Sequence, residues 1–372
     1  MPDATLIAVN GLLYGTTQAG GANGGGTVFS LDPGTDTETV LHSFCGPKNC
    51  TDGRYPYAGL VDVNGTLYGT TSAGGVNGSG TVFSVDPGTG AETVLYSFCS
   101  ETNCADGASP WTSLLEANGT LYGTTSAGGA NSGGTVFSLD PGTGTETVLY
   151  SFCSQTNCAD GASPYASLID VNGTLYGTTY FGGITGCYLG GCGTVFSFDP
   201  GTGTETVLYS FCSQTDCTDG DQPNGGLVDV NGILYGTTSR GGAACNSGYN
   251  CGTVFSVDPQ AGTETVLHTF CPNCGDGSTP MASLIAVQGI LYGTTEFGGA
   301  VSIEGGTVFS LDPGTGTETV LYSLPCPGRS CKHGDSPVAG LLDLNGTLYG
   351  TAKFSGVYRR LSGGVVFSLK AR

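Results

Sequence analysis

The tetrapeptide Leu-Tyr-Gly-Thr occurs seven times in this chain of 372 residues, with its tyrosine at Tyr14, Tyr68, Tyr122, Tyr176, Tyr235, Tyr292 and Tyr349. The intervals are 54, 54, 54, 59, 57 and 57 residues. A fixed period of this length dictates a repeat architecture, in which one supersecondary unit is copied and stacked. The twelve residues NGTLYGTTSAGG stand letter for letter at 64–75 and again at 118–129. The copies run over about 6–59, 60–113, 114–167, 168–226, 227–283, 284–340 and 341–372, and together they form one domain, 1–372.

The second copy shows the order within a unit. Residues 60–63 and 66–71 are β-prone runs joined by Asn64-Gly65, whose readiness for positive φ is a strong hairpin signal. A glycine-rich loop leads to a second hairpin, residues 81–86 and 92–98 around Pro87-Gly88. These are strands A to D, and the loop CSETNCADGASP connects D to the next A. Val94, Leu95, Tyr96 and Phe98 place apolar side chains on both faces of the pleat, so the sheet must be sandwiched between neighbours. An open stack would need polar end units, yet the outer copies look like the inner ones. The expected fold is all-β: a seven-bladed β-propeller of four-stranded antiparallel blades.

Composition agrees. Glycine is 67 of 372 residues, yet 38% are hydrophobic and fall in regular patches, as in a turn-rich folded chain. A net charge of −20 repels nucleic acid and anionic membranes, so neither is an expected partner. No apolar run is long enough to span a membrane, and no charged start precedes an apolar segment, so a mature or trimmed chain is expected.

The 16 cysteines fall into close pairs: Cys45/Cys50, Cys99/Cys104, Cys153/Cys158, Cys187/Cys192, Cys212/Cys217, Cys245/Cys251, Cys271/Cys274 and Cys326/Cys331. Pairing within each copy points to local disulfides and an extracellular or cell-surface location. Zinc is the competing reading, carried only by the Cys271-x2-Cys274 spacing.

The run VNGTLYGTT…GTVFSVDPGTGAETVL is similar to a kelch repeat. More closely, the ordered LYGTT, GTVF and DPGTGTET signatures resemble the GloVer-type tandem repeat of bacterial proteins, the choice-of-anchor repeats. The resemblance covers almost the whole chain. It implies a secreted or surface-exposed propeller and supplies neither an activity nor catalytic residues.

The seventh copy, LLDLNGTLYGTAKFSGVYRRLSGGVVFSLKAR, has no counterpart of strand D. Residues 1–5 align with the segment before Leu168 and cannot supply one. A three-stranded blade with an open edge is expected, where self-association or a strand from another chain is conceivable.

In such a ring the short NG and DPGTGT turns share one face, and the long loops and all cysteines share the other. Asp32, Asp86, Asp140, Asp199, Asp258 and Asp312 precede turns and read as turn residues. The sequons at Asn49, Asn64, Asn77, Asn118, Asn172 and Asn345 are explained mainly by the same turn chemistry. On the loop face, DGxxP recurs at Asp52, Asp106, Asp160, Asp219 and Asp276, with His333 in the sixth copy. These acids read as turns, with Ca²⁺ as the alternative; no other cofactor or metal is expected.

Tyr57, Trp111 and Tyr165 follow the DGxxP prolines and would form a stacking platform for sugar rings or pack on the disulfides. The later B–C loops add Tyr180, Phe181, Tyr188, Arg240, Tyr249, Phe297, Tyr358, Arg359 and Arg360. Arginine with aromatics suits recognition of carbohydrate or an anionic group. No catalytic set converges: His42 and His268 replace strand D tyrosines, while Asp62, Glu116, Asp170, Asp229 and Asp343 recur on strand A as structural or channel-lining groups. The expected function is a binding module for glycans or another extracellular partner. The alternatives are a polysaccharide-active hydrolase or lyase, or a structural subunit assembling through the last blade.

Overall fold

The computed structural model describes residues 2, 4–46, 48–184, 192–243, 251–271, 275–299, 305–325, 331–356 and 363–371, with backbone only at 331–333, 355 and 356. Each repeat becomes one antiparallel sheet in the order A-B-C-D, as in Ile7–Val9, Leu12–Thr17, Thr27–Asp32 and Thr37–Ser43 of blade 1. Blade 5 adds Asp221–Pro223, paired with its strand B, Ile233–Arg240. Blade 7 consists of Leu342–Leu344, Thr347–Ala352 and Val365–Lys370, and nothing among the described residues pairs with the outer edge of its strand C. The all-β expectation and the three-stranded last blade both hold.

The LYGT glycine explains itself in the packing. A Cβ on Gly123 would meet the Phe137 ring at 2.5 Å and Leu114 Cδ2 at 3.0 Å. The same two contacts surround the glycine of every copy, so the strand C phenylalanine lies across a bare backbone. That phenylalanine then receives the strand D phenylalanine of the preceding blade edge-on: Phe98–Phe137 at 5.1 Å, Phe44–Phe83 at 5.0 Å and Phe211–Phe255 at 4.9 Å. The core is thus a series of layers between blades, such as Val82 and Phe98 of blade 2 with Leu121, Phe137 and Leu139 of blade 3. Apolar burial on both sheet faces drives the stacking.

The threonines that follow the glycine serve two tasks. The second of each pair bonds a strand C threonine through hydroxyls, as in Thr71–Thr81 and Thr125–Thr135 at 2.8 Å. In most blades the first donates to a carbonyl oxygen of the next blade's entry segment, as Thr16 to Ala58 at 2.8 Å and Thr70 to Thr112 at 3.0 Å, whereas Thr124 bonds the Thr112 hydroxyl and Thr178 Oγ1 has no partner among the described residues.

The ring closes by the same devices. Thr351 of blade 7 donates to Ala4 O at 3.4 Å, and Leu6, Leu13 and Phe29 of blade 1 pack on Leu342, Leu344, Tyr349 and Val366. Buried Pro2 lies on Gly364 as Pro110 lies on Gly80 and Pro164 on Gly134. Pro2 and residues 4–6 close the ring as an entry segment and, as expected, do not complete blade 7.

Candidate functional site

The turn face is occupied by its own geometry. Asn10, Asn64, Asn118, Asn172 and Asn345 sit at φ between 51° and 55°. Asp32, Asp86, Asp140, Asp199 and Asp312 each accept the N–H of the glycine two residues on at 2.8 Å. The glycine N–H bonds hold the Asp32 and Asp140 carboxyls below the usual range, Asp86 is held down first by the Thr89 N–H and then by Gly88, and Asp199 first by the Thr202 hydroxyl. Strand A carboxylates are used in the same way. Asp62, Glu116, Asp170 and Asp229 accept the N–H of Gly65, Gly119, Gly173 and Gly232 at 2.7–3.1 Å, closing their own A–B turns.

On the loop face the DGxxP aspartates organise the disulfide loops. Asp106 is fully buried and accepts bonds from Tyr96 Oη, Ser100 N, Ser100 Oγ and Glu101 N at 2.8–3.3 Å. Asp160 and Asp219 repeat this with Tyr150 and Tyr209. Burial would raise the Asp106 carboxyl, but these donors outweigh it and hold it below the ordinary value. Such saturation is what a turn acid needs, and it leaves little coordination for Ca²⁺. His42 and His268 take the tyrosine's place, with Nε2 at 3.5 Å from Asp52 and 3.1 Å from Asp276. Burial depresses His42 in spite of Asp52.

The disulfides Cys45–Cys50, Cys99–Cys104, Cys153–Cys158 and Cys212–Cys217 form as expected. Cys192, Cys251 and Cys271 are also disulfide-bonded, and no described cysteine is free. Cys187, Cys245, Cys274 and Cys326 lie outside the described residues, as does the Cys331 side chain.

The post-proline residues converge. Tyr57, Trp111, Tyr165, Asn224, Met281 and Val338 surround one recess of ≈ 330 Å³ at the loop-face end of the axis, with Glu296 and Lys353 on its rim. Tyr57 stacks on Trp111 at 4.1 Å between centroids; Trp111 meets Tyr165 edge-on at 5.9 Å. Tyr165 meets Tyr180 at 5.3 Å, and Tyr180 meets Phe181 at 4.7 Å. One continuous half-buried aromatic arc therefore crosses four blades, its rings packing on each other across blade boundaries. Gln18 bonds the Tyr57 hydroxyl at one end, and Tyr180 donates to Gln222 Oε1 at 2.7 Å at the other. Burial raises the Tyr165 and Tyr180 phenols.

Beside the arc, Asp221 pairs in register with Arg240 on the added strand of blade 5. Burial pushes Asp221 up to about 6 against the pull of Arg240, and Arg240 itself is exposed. Phe297 lies apart, bridging Ser278 through its backbone. Tyr188, Tyr249, Tyr358, Arg359 and Arg360 lie outside the described residues.

The sequence reading missed Gln18 at the end of the arc and Glu296 and Lys353 on the rim. All three follow the LYGTT or LYGTA motif directly, as Tyr180 does, so that column was the available signal. It also missed the strand D glutamates. Glu92, Glu205, Glu264 and Glu318 are raised to about 7 and Glu146 to about 8, first by burial and then, except at Glu318, by the preceding blade's aspartate; at Glu318 His268 partly offsets the shift and Asp276 adds to it.

Among the described residues no helix is long and apolar enough to cross a membrane. No curated protein sequence matches the chain. Solved structures share its fold at low identity. An oligogalacturonate lyase in complex with manganese aligns with TM-score 0.55 and 12% identity, over 97% of this chain and 85% of the other. The Niastella koreensis GH74 enzyme aligns with TM-score 0.56 and 17% identity, over 98% of this chain and 51% of that one. A chain of a nidogen/laminin complex aligns with TM-score 0.49 and 13% identity, over 84% and 92%. The Gloeobacter/Verrucomicrobia repeat family model matches residues 1–249 and 243–372, overlapping matches that run the length of the ring of blades, and the chain belongs to that family.

Proposed function

We propose that the protein is an extracellular binding module that takes glycan rings on the aromatic arc at the mouth of its axis. The observation that carries the reading is the unbroken sequence of ring contacts Tyr57–Trp111–Tyr165–Tyr180–Phe181 beside a recess with a mixed rim of Asn224, Glu296 and Lys353. Flat apolar faces with hydroxyl and amide groups at their edges match a pyranose ring, which offers C–H on its faces and hydroxyls at its rim. Local disulfides in the surrounding loops support an oxidising environment. The enzymatic alternative loses its first candidates, since the strand A carboxylates Asp62 and Asp170 close turns on the opposite face.

Trp111 is the single tryptophan of the chain, so its emission reports on the recess alone. A glycan array selects ligands, and titration of each hit against tryptophan fluorescence measures affinity. A saturable spectral shift is expected. A folded protein that binds nothing on the array, or binds hits without any change in Trp111 emission, overturns the reading.

A further inference from the structure

Blade 7 carries no outer strand among the described residues, and its neighbours specify the strand that would fit there. Along blade 1 the C–D register places Leu31 opposite Glu38, Phe29 opposite Val40 and Val28 opposite His42. By repeat symmetry Leu369, Phe367 and Val366 of blade 7 call for Glu, Val, and Tyr or His. The walls show the same vacancy. Val40 is 49% exposed, whereas Val94, Val148 and Val207 are half-buried. Tyr322 is 42% exposed, whereas Tyr96, Tyr150 and Tyr209 lie half-buried, each coupled to the next blade's Glu146, Glu205 or Glu264. Glu38 is exposed, whereas Glu92 and Glu146 are half-buried against the preceding blade. A groove flanks each side of the blade 7 edge, one lined by Tyr322, Leu324 and Phe367, the other by Phe29, Glu38, Val40 and Val366.

We propose that this slot binds, in trans, an extended peptide segment of the chain's own outer-strand pattern, Thr-Glu-Thr-Val-Leu-Tyr-Ser, added antiparallel to Val365–Lys370. Its glutamate would meet Tyr322, and its tyrosine would meet Glu38. Lys370-Ala371 stands where the other blades have the Asp-Pro of their C–D turn, and Ala371 N–H donates to Gly346 O at 3.0 Å, carrying the backbone along the A–B turn rather than back along strand C. The slot is one strand deep, about 4.8 Å, because the strands D of blades 6 and 1 project past it. A folded sheet edge of a second copy would strike those strands first, so the occupant is a free extended segment, recognised by strand addition.

The probe is a fluorescein-labelled peptide of residues 145–152, TETVLYSF, titrated against the whole chain by anisotropy. Saturable one-to-one binding and a raised Tm are expected. The peptide carrying Val148→Lys should bind at least tenfold more weakly, a control that leaves the protein untouched. Val40→Lys in the exposed wall should weaken the native peptide at least tenfold. Absence of saturable binding, or equal binding of a scrambled peptide, overturns the proposal. So does a dimer that Val40→Lys dissociates while the peptide fails to bind, since a second copy would then fill the slot.

Discussion

Thr351 donates its hydroxyl to the carbonyl oxygen of Ala4, 347 residues away, in the same way that Thr16 donates to Ala58 and Thr70 to Thr112 within the ring. The seam between blades 7 and 1 is therefore chemically one more blade boundary. It differs from the others because no continuous chain crosses it, so closure rests on side-chain packing and on the short entry segment.

That seam should be the weak point of the ring. A Cβ at Gly364 would fall on the Pro2 ring and the Ala352 carbonyl oxygen. Gly364→Val is expected to destabilise the fold by about 1–3 kcal/mol and to make residues near Pro2 and Thr351 exchange amide hydrogens first. Hydrogen exchange by mass spectrometry checks this. Uniform exchange across all seven boundaries would argue against a seam.

Asp106 should be structural. It accepts bonds from Tyr96, both the N–H and hydroxyl of Ser100, and Glu101, at zero exposure. Asp106→Ala strands those donors and should cost about 3 kcal/mol, measured by denaturant unfolding. Tyr96→His should cost less than Tyr96→Phe, because blades 1 and 5 already use His42 and His268 against Asp52 and Asp276.

The architecture was legible because period and pleat pattern are local signals. LYGT spacing counted the blades, and apolar residues on both pleat faces at Val94, Leu95 and Tyr96 required stacking. Two things were not legible. Closure depends on Pro2 and Gly364 meeting across the whole chain, and the motif that makes this contact elsewhere, glycine against the next blade's proline, is visible only once blades are neighbours. The aromatic arc was half legible. Tyr57, Trp111 and Tyr165 could be picked out by their shared column, but that their rings meet one another across blade boundaries depends on ring curvature. The strand D glutamates were invisible because the aspartates that add to their shift, as Asp52 does for Glu92 and Asp106 for Glu146, come from the preceding blade.

Those glutamates make stability depend on pH. Their folded values, about 7 to 8, lie above the ordinary 4.5, so below 4.5 they are protonated in both states and the fold carries no penalty. Between about 4.5 and 8 the unfolded chain ionises first, and stability falls as pH rises. The depressed turn aspartates Asp32, Asp86, Asp140 and Asp199 act oppositely, losing their contribution as pH falls below their ordinary 3.8. Thermal unfolding should therefore show its highest Tm near pH 4–5 and a decline toward pH 8. Glu146→Gln should flatten that decline; an unchanged slope would place its origin in general repulsion among the acidic groups instead.

Reduction should loosen the loop face without opening the ring. Each disulfide described in full joins residues five apart, within one loop of one blade. Chain-entropy arguments give roughly 2 kcal/mol for so small a loop. Dithiothreitol should lower Tm while leaving the far-ultraviolet circular dichroism at 25 °C unchanged. Complete loss of β signal on reduction would mean that the interblade layers cannot hold the fold alone.

The last expectation concerns Trp111, which lies between Tyr57 at 4.1 Å and Tyr165 at 5.9 Å. If the arc binds sugar rings, Trp111→Ala removes its largest face, and affinity for an array-selected glycan should fall about tenfold or more, on the order of 1.4 kcal/mol. The same change also removes aromatic contacts worth about 1 kcal/mol each to the fold. Binding and stability must therefore be read together. Phe181→Ala, at the end of the arc, keeps the Tyr57–Trp111–Tyr165 contacts and should affect longer glycans more than monosaccharides. A Trp111→Ala protein with lowered Tm and unchanged glycan affinity would make the arc a brace between blades.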